Sequence, residues 1–307
     1  RLNVNFDYYN EKTVDMLVDR SLPPSSGSTS VKANLGSQTS NGIEFSVWGK
    51  IIRTKDWEWN LSVNGLHSTT TINKISDALK RMNEQKATGV KQNSTTSVAS
   101  SSPLFQYREG ESPTAIYAVR SAGIDPATGK EIFIKADGSY TYTYDISDQV
   151  SCGDTNPKLQ GSFSSLLKFR DFSLSANFSY RFGGKMYNST RALKVENINP
   201  RYNCDVRAFT DRWSQVGDVK PYLDISQSGG TSSVYTDRFV ENDDELWLSS
   251  LYLQYNLPFK FLKPIHVQKL YVGLGMEDLF RITSAKYERG TSYPYSRSIN
   301  MSVSVTF

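Results

Sequence analysis

Nowhere in its 307 residues does the chain run through eighteen consecutive apolar residues, so it has no transmembrane helix. That absence leaves open a membrane β-barrel, whose strands are apolar on one face only. Histidine and cysteine are both scarce, at two each. His67 and His266 stand far apart with no ligand spacing around them, and Cys152 and Cys204 lack the pairing of a zinc site, so no metal or other cofactor is expected. Charge of one sign is missing too: 35 basic and 31 acidic residues are scattered to a net +4, without the basic stripe that nucleic acid requires. No Gly-rich phosphate loop or nucleophile elbow occurs, and enzymatic activity is not expected. Arg1 opens directly into a strand-like pattern with no basic-then-apolar leader, so either a leader has been removed or residues lie upstream.

What the chain has in quantity is tyrosine (18), phenylalanine (15), serine and threonine, a mixture suited to strands. Period-two alternation is the strongest signal. Ile299, Met301, Val303, Val305 and Phe307 alternate with serine, asparagine and threonine to the last residue. Phe172, Leu174, Ala176, Phe178, Tyr180 and Phe182 do the same, as do Leu2 to Tyr8 and Trp57 to Asn64. Less regular runs mark strands near 42–52, 160–169, 246–257 and 268–280, which makes eight.

The connections separate a barrel from a soluble sheet. Short turns at Arg53 to Asp56, at Arg170 and at Pro258 to His266 alternate with long segments near 11–40, 68–158, 184–243 and 281–297. Several long loops confined to one end are unusual in a soluble domain and ordinary in a transmembrane barrel, with long extracellular loops and short periplasmic turns. Runs of about 9 to 11 residues match a tilted membrane-crossing strand. Trp57, Trp59, Trp247, Tyr180 and Phe182 fall near strand ends, where an aromatic girdle belongs. Within 110–150, Ala115 to Val119 and Glu131 to Ile134 read as strands, Asp137-Gly138 as a hairpin turn and Asp125 to Gly129 as another turn. Asp125, Asp137 and Asp145 lack the spacing and the glutamate of a calcium loop. Asp243-Asp244-Glu245 reads as a solvated rim at a strand mouth rather than a catalytic carboxylate pair.

Several stretches resemble the SusC/RagA family of TonB-dependent outer-membrane transporters. They are Ala122 to Gly129 with Asp137-Gly138, Asn156-Pro157-Lys158, Gly183 to Asn188, Val195-Glu196-Asn197, Arg212-Trp213 with Gly217-Asp218, Leu246 to Pro258, and Leu279 to Thr283 with Tyr293-Pro294 and Arg297. The final Phe307 looks like the aromatic terminus of outer-membrane proteins, whereas Met276-Glu277-Asp278 departs from the family's usual Asn-Leu-Phe. The order of these stretches covers 1–307 without a gap.

The resemblance implies an all-β fold: the C-terminal eight or so strands of a plugged, transmembrane antiparallel barrel of about 22. Plug, TonB-contacting segment and first strands are then expected before Arg1. It also implies TonB-driven import of oligosaccharides or peptides in the outer membrane, a SusD-like surface lipoprotein as partner, and pairing of two such units. Arg181 is expected on the lumen wall, and Tyr187, Tyr202 and Trp213 are loop aromatics able to stack on a ligand or on each other. Cys152 and Cys204 fall in loops flanking the 160–183 strand pair, and a disulfide between them is expected. Two other classes compete: a structural or adhesive barrel without transport, and a soluble carbohydrate-binding β-domain.

Overall fold

The computed structural model describes residues 1–21, 30–34, 36–77, 79–80, 83, 106–198, 204–227, 235–285 and 297–307. Its strands are β1 (Leu2–Thr13), β2 (Leu17–Ser21), β3 (Ser30–Asn34), β4 (Gly36–Arg53), β5 (Trp57–Ile75), β6 (Ala115–Ile124), β7 (Glu131–Ile134) and β8 (Tyr140–Thr141). They continue with β9 (Gln149–Asp154), β10 (Leu159–Phe169), β11 (Phe172–Phe182), β12 (Lys185–Tyr187), β13 (Val240–Asn242), β14 (Glu245–Asn256), β15 (Lys269–Thr283) and β16 (Ser298–Thr306).

One eight-stranded antiparallel sheet carries the architecture, in the order β1-β4-β5-β10-β11-β14-β15-β16. These are the eight strands expected from the alternation, each beside its neighbour in sequence. The short turns therefore all lie at one end. There, Thr54 accepts from the Trp57 amide through its hydroxyl (3.0 Å), Arg170 takes a positive φ of 53°, and the Arg170 guanidinium meets Asp56 Oδ1 at 3.2 Å, tying two turns together. The other connections emerge at the opposite end. They hold the β2–β3 ribbon, a four-stranded sheet in the order β8-β7-β6-β9, and the β12–β13 pair.

Register makes the two faces chemically distinct, because directly paired residues share a side. On one face Val4, Val47, Val63, Phe163, Phe178, Leu248 and Phe280 fall in a single line across seven strands. A second line reads Leu2, Gly49, Leu61, Ser165, Ala176, Leu251, Met276 and Ile299. Near the short turns Trp57, Phe169, Phe172 and Tyr255 form an aromatic row, with ring centroids 4.3 Å apart for Trp57–Phe169 and 4.5 Å for Phe172–Tyr255. Phe6, Phe45, Tyr180 and Phe182 lie toward the long loops on the same face. From Phe172 to Phe182 is ten residues, which at strand rise and barrel tilt spans about 25 Å, the height of a lipid-facing band.

No second layer covers this face among the described residues. Met301, Phe6 and Ile299 are 74%, 64% and 64% exposed, and Val4, Leu253 and Val303 are exposed beside them. A soluble sandwich would bury such a face, whereas the lipid side of a membrane barrel carries no protein layer over it.

Among the described residues both outer strands, β1 and β16, have a partner on one side only, so the sheet is an open arc rather than a closed eight-stranded barrel. Strand edges inside hydrocarbon leave unpaired N–H and C=O groups costing several kcal/mol each, which membrane barrels avoid by closure. In a membrane barrel, edges such as these are met by partner strands.

Placing a charge on the lipid face, Leu251→Arg, is expected to destabilise the assembled full-length barrel by about 2–4 kcal/mol. Ser175→Arg, on the opposite face, should be far milder. Denaturant unfolding in detergent or lipid distinguishes the two, and equal losses would show that the faces are misassigned.

Candidate functional site

The other face of the sheet is a polar wall. One line across it reads Asn5, Ser46, Asn64, Ser162, Ser179, Trp247 and Arg281, and the adjacent line Glu44, Leu66, Gln160, Arg181, Glu245 and Thr283. Neighbouring side chains join across strands: Asn5 donates to Ser46 (3.3 Å), Asn64 to Ser162 (2.8 Å) and Asn177 to Ser250 (2.8 Å). Where the two lines run over β5, β10, β11 and β14 they border a hollow of about 450 Å³, lined by Asn64, Leu66, Gln160, Ser179, Arg181, Glu245 and Trp247. Its floor is thin because Gly161 and Gly65 bring no side chain. A Cβ on Gly161 would stand 2.1 Å from the Asn64 carbonyl oxygen. The Tyr180 hydroxyl crosses there to donate to that oxygen at 2.7 Å.

Charge on this wall is tightly paired. The Arg181 guanidinium sits 3.0 Å from both Asp243 Oδ1 and Glu245 Oε2, and Glu245 Oε1 lies 2.6 Å from Arg281 Nε. Arg281 in turn covers the Trp247 ring at 4.6 Å. The Glu245 side chain is only 8% exposed and that of Asp243 only 11%. These carboxylates were expected as a solvated rim. They are instead buried counter-ions, and the correction follows from the two arginines that β11 and β15 bring to them. Arg181 lies on the polar face and lines the hollow.

Trp247 also departs from expectation, since it faces the hollow rather than the girdle. The cause is a β-bulge: β14 pairs Leu248 with Phe178 and Ser250 with Asn177, leaving Ser249 unpaired. Ser249 donates its hydroxyl to the Asn177 carbonyl at 2.9 Å. One extra residue reverses the alternation, so Leu246 and Leu248 face lipid with Leu251 and Leu253, and Trp247 turns inward. The signal was Ser249-Ser250 interrupting an apolar run, which period-two counting passes over.

Above the wall, the 76–158 and 183–244 connections fasten to one another. The Val119 amide donates to the Tyr235 carbonyl (2.9 Å) and the Ser121 amide to Asp237 Oδ1 (2.9 Å). Arg238, its side chain 11% exposed, holds two buried carboxylates, Glu131 at 2.7 Å and Glu196 at 2.8 Å. Arg212, also buried, donates to the carbonyls of Val195, Glu196, Ala208 and Leu223. Around it Ala192, Val195, Ile198, Ala208, Tyr222 and Phe239 form a small core.

Two of the loop aromatics serve that body. The Trp213 indole donates to the Pro126 carbonyl (2.9 Å) and its ring closes over Gly129, where a Cβ would stand 2.5 Å away. Tyr187 packs edge-on against Tyr235 (5.9 Å) and Phe239 (6.0 Å), and burial pushes its phenol well above the usual range. Both rings are thus engaged within the protein. Tyr202 lies outside the described residues. The structure brings neither Trp213 nor Tyr187 to the hollow with Arg181. The expected disulfide does not join Cys152 and Cys204 in the structure. Cys152 donates weakly to the Ala118 and Val150 carbonyls within the β6–β9 pairing, while Cys204 packs against the helical core of the other loop. Asp125 caps its own turn, accepting from the Ala127 amide (2.9 Å) and from the hydroxyls of Thr128 (2.7 Å) and Tyr142 (2.8 Å).

No family model matches the chain. In sequence it is 24% identical over 298 residues to TonB-dependent receptor P3 of Formosa agariphila, covering 92% of the chain and 28% of that receptor. It is 25% identical over 347 residues to TonB-dependent receptor P26 of the same organism, covering 100% of the chain and 33% of the receptor. In structure it aligns along its whole length with 34% of a chain of the RagAB peptide transporter, at a TM-score of 0.79 and 24% identity. The RagAB peptide importer in its 'closed-closed' state gives 0.77. The chain thus spans about a third of the length of the proteins it matches, and its fold is that of part of a RagA-like barrel. The resemblance to SusC/RagA-like TonB-dependent transporters holds along the chain.

Removing Arg238 (Arg238→Met) leaves Glu131 and Glu196 buried without their cation, and is expected to loosen the loop body by about 3–5 kcal/mol. Burial raises the Glu196 pKa against the pull of Arg238. A carboxyl raised in the folded state favours folding below its unfolded pKa and loses that contribution as pH rises through the folded value. Limited proteolysis of the loops in the variant should therefore slow on acidification from neutral pH. Loops equally resistant in variant and parent would remove Arg238 from the account.

Proposed function

We propose that this chain is part of an outer-membrane transporter that imports oligosaccharides or peptides by TonB-coupled transport. The observation that carries the reading is the two-faced open sheet. Its apolar side is built for lipid, and its polar side holds the Arg181–Glu245–Trp247 hollow where a water-filled barrel would have its lumen. The relatives named as TonB-dependent receptors and the RagAB peptide importer support the same activity. The remaining strands and a plug close the barrel and occlude its lumen, and TonB acts through that part. A SusD-like lipoprotein covers the mouth formed by the long loops, and two such units pair. The hollow and the loop body above it then lie along the solute's route.

The test uses the full-length gene in its own bacterium, with labelled oligosaccharide and peptide pools as probes. Deleting the gene is expected to bring uptake of one pool to background, and inactivating TonB should do the same. Unchanged uptake of both pools after deletion refutes the proposal. Loss on gene deletion that is indifferent to TonB refutes the energy coupling.

A further inference from the structure

Two of the three short connections are tight turns, but the third, between β14 and β15, is a short helix (Phe259–Leu262) followed by a single 3₁₀ turn. At 100° per residue the helix sets Leu262 inward, Phe259 and Phe261 to either side and Lys260 away from the sheet. Burial agrees: Leu262 is 1% exposed, whereas Phe259 and Phe261 are 61% and 57% exposed. Two phenylalanines presented to water on a tight connection are costly, since each forgoes a burial term of about 1.5–3 kcal/mol.

We propose that this connection is a membrane-interface anchor. Phe259 and Phe261 seat in the glycerol and upper acyl layer of the phospholipid leaflet at the short-turn end, and Lys260, Lys263 and Lys269 engage headgroup phosphates. Three observations carry this. The turn continues the lipid face without a break, because Tyr255, three residues before Pro258, belongs to the aromatic row with Trp57, Phe169 and Phe172. Its charge is of one sign: from Leu257 to Met276 there are three lysines and no aspartate or glutamate. Its cation sits at the ring it would accompany, with Lys260 Nζ 4.9 Å over the Phe261 ring. An aromatic body with an ammonium at the headgroup level is the arrangement by which side chains settle at a bilayer interface. The exposed terminal Phe307 follows Thr306, whose carbonyl accepts from the Gln268 amide, so it stands at the same level.

The inference rests on the membrane-barrel reading, and the experiment separates the two. p-Benzoyl-phenylalanine replaces Phe259 or Phe261 in the full-length protein, membranes are irradiated, and adducts are identified by mass spectrometry. Adducts to phospholipid at one or both positions are expected, and Lys260→Glu with Lys263→Glu should reduce their yield. Adducts only to protein, adducts to lipopolysaccharide, or no adduct from protein that is in the membrane would overturn the anchor and leave the barrel standing. Protein found in the aqueous phase would overturn the barrel reading as well.

Discussion

Backbone hydrogen bonding inside hydrocarbon is the constraint on which the rest of this structure depends. With no water to accept or donate, every strand N–H and C=O in the apolar band must pair with another strand. Eight strands satisfy one another in a ladder interrupted only locally by bulges, and among the described residues β1 and β16 each keep one unpaired edge. Everything else follows from the ladder's register. Direct pairing puts valine beside valine and phenylalanine beside phenylalanine on the lipid side, and serine beside asparagine on the other. The lipid side is uninterrupted because pairing, not chain order alone, brings like residues together. The polar side gathers Arg181, Glu245 and Arg281 into one network for the same reason.

That dependence explains what could be read from the residues and what could not. Alternation at Phe172–Phe182 and Ile299–Phe307 is visible because each residue alone states its side. The turns at Thr54, Arg170 and Pro258 are visible because they interrupt the alternation. The bulge at Ser249 is not, since skipping one residue looks the same in sequence as a weak strand, and so Trp247 was assigned to the wrong face. The burial of Asp243 and Glu245 was hidden for another reason: their partners are 62 and 36 residues away in sequence, at Arg181 and Arg281. Only strand order brings them together.

Of the loop aromatics, Trp213 and Tyr187 spend their chemistry inside the protein. Trp213 locks the 183–244 connection onto the Asp125–Gly129 turn, and Tyr187 braces the β12–β13 pair against Phe239. Arg238, unremarked in the sequence, does more than either by joining Glu131 and Glu196 across the two connections. Long connections joined by a shared ion cluster and by backbone hydrogen bonds form one body rather than two separate loops. Such a body gives the loop end of the sheet a fixed shape.

The most direct test of the two-sided wall is cysteine accessibility along β11 in the full-length protein, in membranes, with a membrane-impermeant thiol reagent and the two native cysteines replaced. Positions 173, 175, 177 and 179 are predicted to react, and 172, 174, 176 and 178 to stay protected by lipid. The opposite phase, or reactivity without a period of two, would contradict the account at its base.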